Sequence, residues 1–79
     1  MRIFDKEQKL IKIICNQCGT SEDVDGGLMK KEFVSVEKEW GYFSDKDTQI
    51  HRFDLCEACY DRLVAGFCYP VELERRLEL

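Results

Sequence analysis

Cys15-Asn16-Gln17-Cys18-Gly19 and Cys56-Glu57-Ala58-Cys59 are the two stretches on which the reading of this chain turns. In each, two thiols stand two residues apart, so both reach one ion from a single turn of backbone. Two such pairs supply four sulfurs, enough to complete a tetrahedral shell, and zinc is the usual occupant of that shell. The expected ligands are Cys15, Cys18, Cys56 and Cys59 around one zinc ion.

Composition favours metal over disulfide. Five cysteines is an odd number, which suits a disulfide framework poorly. The opening residues Met1–Glu7 alternate charge with isolated apolar side chains and do not read as a secretory signal. No apolar run approaches the length of a membrane span. These features point to a reducing cytoplasm and no membrane contact. The 79 residues are expected to form a single domain over 1–79, a length that buries little apolar surface and commonly needs a metal or cross-links. Hydrophobic residues make up 44%, too many for a disordered tail.

The formal net charge is -4, and four metal-bound thiolates with one dication lower it to about -6. Basic residues are scattered, with Lys30-Lys31 and Arg75-Arg76 the only adjacent pairs. That balance works against broad binding to phosphate backbones, so a protein is the favoured partner and nucleic acid the less favoured one.

Outward from the cysteine pairs, residues 8–14 are rich in β-branched side chains and predict a strand leading into the first pair. Gly19 supplies a positive φ to the turn after Cys18, the form of a zinc knuckle. Residues 20–27 are a loop by composition. Val34, Val36, Trp40 and Tyr42 then share one parity, with Lys38 the only charge among them, and Ser35, Glu37 and Glu39 share the other. After the polar turn Ser44–Asp47, His51, Phe53 and Leu55 share a face, so the two segments predict an antiparallel hairpin. Cys56, Cys59, Tyr60, Leu63, Val64 and Phe67 form one stripe at the helical period. Asp54 and Glu57 fit a capping box, Gly66 is a stop signal, and Pro70 is placed to open a short helix bearing Leu73 and Leu77.

Knuckle, hairpin, then a helix carrying the second pair resembles the treble-clef family of zinc fingers. The resemblance rests on Cys15, Cys18, Gly19, Cys56 and Cys59 and the order of elements, over roughly residues 12–66. It implies a small α+β zinc-binding domain with an additional N-terminal strand and a short C-terminal helix. The 37 residues between the pairs leave room for a full hairpin with a leading loop. The stretches Trp40–Tyr42 and Phe53–Tyr60 also look like segments of small uncharacterised bacterial zinc-binding proteins, which brings no activity with it. Iron in a rubredoxin-like site is the competing metal, but rubredoxins carry a glycine in both knuckles and the second pair here has none.

Other signals are weaker. Cys68, between Phe67 and Tyr69, reads as a small core residue rather than a substitute ligand or redox thiol. His51, the only histidine, reads as a packed or half-exposed strand residue rather than a fifth ligand. Residues 21–32 mimic a calcium loop through Asp23, Asp25, Gly26 and Glu32. The helix that should lead into it would run through the knuckle, so it reads as an acidic surface loop. Trp40 is expected in the core, with Tyr42 or Phe43 partly exposed.

Four thiolates leave no coordination position for water, and no Ser/His/Asp set or phosphate-binding glycine loop is present. The reading is a non-enzymatic zinc module that meets another protein. A nucleic-acid-binding finger and a zinc–thiolate redox switch are the alternatives. Leu73, Leu77 and Leu79 are expected to pack on the domain or on a second copy, which makes a homodimer one of the expected forms.

Overall fold

A computed structural model describes residues 1–76. Its elements are β1 (Arg2–Phe4), β2 (Leu10–Ile14), β3 (Ser21–Asp23), β4 (Phe33–Glu39), β5 (Ile50–Cys56) and α1 (Glu57–Ala65). The strands form two antiparallel sheets, one ordered β1-β2-β3 and one pairing β4 with β5. The fold is thus α+β.

β2 is the expected strand, and it stands at the centre of its sheet. Its branched side chains suit a pleated surface packed on both sides, and Ile13 is 2% exposed. β1 and β3 were not expected from the sequence. β1 is only three residues long and pairs Arg2 with Ile13 and Ile3 with Lys12. The turn behind it closes on a side chain, because Asp5 Oδ1 accepts the Glu7 and Lys9 N–H groups at 2.8 and 2.9 Å.

β3 lies inside the expected loop. Ser21, Glu22 and Asp23 have poor strand propensity, but β2 offers them a ladder and Val24 is buried beside it, 8% exposed. Lys12 Nζ also reaches Asp23 Oδ1 at 3.7 Å. The following turn is a two-residue type I′ loop. Gly26 and Gly27 both have positive φ, 59° and 84°, while Asp25 and Leu28 exchange hydrogen bonds of 3.0 Å. The calcium-loop likeness ends there, since a strand stands where its leading residues would be.

β4 and β5 pair in the expected hairpin. Register puts Val34, Val36 and Lys38 with Leu55, Phe53 and His51 on one face, and Ser35 and Glu37 with Asp54 and Arg52 on the other. β4 stops at Glu39, short of the expected Tyr42: the Trp40 N–H still bonds the Gln49 carbonyl, but the chain then turns, with Ser44 N–H donating to the Gly41 carbonyl at 3.0 Å and Gln49 N–H to the Lys46 carbonyl at 2.9 Å. Tyr42 and Phe43 then sit in the turn, 83% and 100% exposed.

α1 carries part of the expected stripe: Cys59 is buried and Tyr60 and Val64 are half-buried, whereas Leu63 is 48% exposed, Cys56 ends β5 and Phe67 lies exposed beyond the helix end. It stops at Gly66, where the Gly66 N–H donates to the Leu63 carbonyl at 3.2 Å and the Phe67 N–H to the Val64 carbonyl at 3.1 Å. The capping box does not form. Cys56 is the N-cap and has no side-chain cap, while Asp54 remains within β5. The short C-terminal helix is also absent from the described residues. Residues 67–76 hold no regular element and are exposed, and a single helical turn without a packing surface does not sustain itself. Leu73 is 72% exposed and so does not pack on the domain, whereas Leu77 and Leu79 lie outside the described residues.

Little of this is core. Among the described residues the buried apolar set is Ile13, Cys15, Val24, Leu55 and Cys59, and two of these are expected ligands. The radius of gyration is 15.5 Å, against about 12 Å for a compact chain of this length. No helix among the described residues is long and apolar enough to cross a membrane.

Candidate metal centre

The site is assembled from two hairpins and a helix. Cys15 follows β2, and residues 15–20 form the loop that turns β2 into β3. The Cys15 N–H donates to the Thr20 carbonyl at 2.8 Å and the Gly19 N–H donates to the Cys15 carbonyl at 2.9 Å, which closes the knuckle. Gly19 has φ +81°, and a Cβ there would meet nothing within 4 Å. The cost of a side chain is therefore conformational alone. Gly19→Ala is expected to destabilise by about 1–2 kcal/mol, with Gly19→Asn costing less. Thermal melts of the two variants check this, and equal midpoints would refute it.

Cys56 ends β5 and Cys59 lies one turn into α1, so strand and helix present their thiols to the knuckle together. The sulfurs of Cys15, Cys18, Cys56 and Cys59 all lie within 4.8 Å of one another. Cys18 Sγ and Cys56 Sγ are 3.7 Å apart. A tetrahedral ion with metal–sulfur bonds of about 2.3 Å sets its sulfurs about 3.8 Å apart, whereas a disulfide needs about 2.05 Å. The thiols are unlinked and lie close enough together to hold one metal ion.

Electrostatics point the same way. Burial pushes the Cys15 thiol up, but the backbone N–H groups of Cys18, Cys56 and Gln17 outweigh it and bring the thiol down to about 6. Burial, together with hydrogen bonding to Cys56, Cys18 and Cys15, pushes Cys59 up to about 12, although Arg62 opposes this. Once one sulfur is ionised, its charge and its need for a donor hold a neighbour protonated. Four thiolates become compatible only around a cation, which is the chemistry of a metal-binding donor set.

The two motifs are clamped by Asn16, which the sequence reading does not single out, and by Asp54, which it reads as a helix cap. The Asn16 N–H donates to the Asp54 carbonyl at 2.8 Å, and Asn16 Oδ1 accepts the Asp54 N–H at 3.0 Å. This bridge joins the first Cys-x-x-Cys to β5 two residues before the second. The Asp54 carboxylate, on a residue 4% exposed, accepts from the Met1 amino group at 2.7 Å and from Ser35 Oγ at 2.5 Å. Burial pushes this carboxyl up, but those two hydrogen bonds and the charges of Met1 and Arg2 hold it below the usual carboxylate value. Arg62, one turn after Cys59, donates from Nη2 to Cys59 Sγ at 3.1 Å. No sequence signal marks Asn16, and the signal at Asp54 points to a cap, because their roles here arise only once the knuckle meets β5.

The remaining candidates stay apart. His51 is exposed, bonds Gln49 Oε1 at 2.9 Å and meets Trp40 edge-on at 5.9 Å, outside the sulfur cluster. Cys68 is exposed, not the core residue expected, because the chain beyond Gly66 leaves the domain surface. Trp40 is half-buried rather than in the core, with the ammonium groups of Lys38 and Lys46 over its ring.

The centre is lopsided. Cys15 and Cys59 are 1% and 2% exposed, whereas Cys56 is half-buried and Cys18 is exposed. A cleft of about 700 Å³ reaches Cys18 and Cys56 and is walled by Phe33, Ala58, Arg62 and Lys31.

Comparison with known proteins finds no matching family model, no matching curated protein and no matching solved structure.

Proposed function

We propose that this chain is a non-enzymatic zinc module of the treble-clef type, in which Cys15, Cys18, Cys56 and Cys59 hold one ion and the surface meets a protein partner. The observation that supports it is the approach of four thiols to tetrahedral spacing between a glycine knuckle and a helix start. A shell closed by four protein sulfurs leaves no exchangeable position, which suits structure and not metal-assisted hydrolysis. Zinc fits better than iron because only the first pair has the glycine knuckle.

The partner surface is the tip of the β4–β5 hairpin. Tyr42 and Phe43 are exposed there and meet edge-on with ring centres 5.4 Å apart. Rings of this size left in water are typical anchors of protein interfaces. Stacking on bases needs a basic surround, whereas Asp45 and Asp47 lie in the same turn. The exposed Phe67, Tyr69, Val71 and Leu73 give a second apolar surface, open to a partner or to another copy.

Elemental analysis of purified protein is expected to give one zinc per chain, and no metal at all would overturn the reading. Replacing Tyr42 and Phe43 with serine is expected to leave the melting midpoint unchanged while abolishing capture of the native partner. A salt-dependent shift with DNA or RNA would instead favour the nucleic-acid alternative.

A further inference from the structure

The lopsided exposure of the four sulfurs separates them by reactivity. Cys15 and Cys59 are buried with Leu55 in the core, and Phe33 and the half-buried Cys56 pack against its edge. Cys18 and Cys56 face the cleft, and their sulfurs are 3.7 Å apart. Oxidation of a thiol follows its access to the oxidant and the nearness of a second sulfur that can resolve the first product. Cys18 has both. Cys68, although exposed, lies outside the sulfur cluster and has no such neighbour within it.

We propose that Cys18 and Cys56 form an oxidisable dithiol within the metal centre, converted to a disulfide by hydrogen peroxide that arrives through the cleft. Cys18 Sγ attacks the peroxide, the O–O bond breaks, and the sulfur becomes a sulfenic acid as hydroxide leaves. Cys56 Sγ then attacks Cys18 Sγ, the S–S bond forms, and a second hydroxide leaves. The two sulfurs lose two electrons in total, the peroxide gains them, and two protons from solvent convert both hydroxides to water. Cys15 and Cys59 stay reduced. Where the centre holds a metal, as the proposed function has it, the ion is left with two of its four ligands and is released.

The test is to treat the full chain as purified with hydrogen peroxide, block free thiols by alkylation, and digest with trypsin. Cleavage after Lys12, Lys30, Arg52 and Arg62 puts Cys15 with Cys18 in one peptide and Cys56 with Cys59 in another, while Cys68 falls in a third. Fragmentation between Asn16 and Gln17 and between Glu57 and Ala58 then assigns the link. A first disulfide joining Cys18 to Cys56, with Cys15, Cys59 and Cys68 alkylated, is the expected result. A first product that involves Cys15, Cys59 or Cys68, or no disulfide before the fold is lost, overturns the proposal. Ala58→Phe, which narrows the cleft without touching a sulfur, is expected to slow the reaction several-fold while keeping the secondary structure, and an unchanged rate removes the cleft from the scheme. Metal content is measured separately on untreated protein. Chains without metal that still link Cys18 to Cys56 first would sink the zinc reading and leave the dithiol standing.

Discussion

A strong chelator is expected to abolish the thermal transition of this protein and to collapse its far-ultraviolet circular dichroism. The expectation follows from how little else holds the chain together. Five apolar residues are buried among the described residues, and Cys15 and Cys59 supply two of them. Complete burial of an aliphatic side chain stabilises by about 1.5–3 kcal/mol. Ile13, Val24 and Leu55 together therefore contribute well under the cost of ordering the loops around them. A structural zinc ion contributes on the order of 10 kcal/mol, and in a chain like this its binding and the folding are one equilibrium. The knuckle and α1 are remote in sequence, and the four sulfurs are where they meet. Without the ion, the quartet would also carry mutually repelling or protonated thiols instead of a neutralised shell. A chelated protein that keeps its spectrum and its melt would show that the hairpins stand alone and that the metal is incidental.

Asp54→Ala is expected to cost about 2–3 kcal/mol, more than a typical surface substitution. The carboxylate is 4% exposed and takes hydrogen bonds from the Met1 amino group and Ser35, with Arg2 Nε at 3.6 Å. Removing it strands these donors at the seam between the two sheets. The figure stays below the value for a fully buried ion pair because the side chains of Met1 and Arg2 are about half exposed and partly screened. Asp54→Asn keeps the shape and one acceptor and is expected to lose about half as much. The pH dependence has a definite sign. The folded carboxyl is held below its unfolded value, so its contribution is complete above the unfolded pKa of about 3.9 and is lost as pH falls through the folded value. The stability gap between wild type and Asp54→Ala should therefore stay flat between about pH 5 and pH 7. Urea titrations of metal-loaded protein measure it. A gap that closes across that window would show that the carboxylate is not ionised there.

How much of this was legible beforehand depended on whether the information was local. The hairpin was readable from the alternation of Val34 and Val36 with Ser35 and Glu37, because period two has one physical meaning. Helix α1 was readable from its stripe, and the knuckle from Gly19. β3 was not, since Ser21-Glu22-Asp23 is strand only because β2 offers a ladder next to it. Asp54 was misread for a related reason. Its spacing from Glu57 is that of a cap, and only the arrival of Met1 and Ser35 from distant segments recruits it to the seam. Pro70 signalled a permissible helix start, but with nothing for Leu73 to pack on the turn did not form.

The amino-acid sequence by itself determined the four thiols, their pairing two residues apart, and the elements that carry them. Those properties depend on neighbours within a few bonds. Tertiary structure alone decided which sulfurs face the interior and which face the cleft, and that Asn16 and Asp54 lock the two motifs together. Burial and long-range hydrogen bonds are relations between segments, here 38 residues apart, and they have no value until the chain has brought those segments into contact.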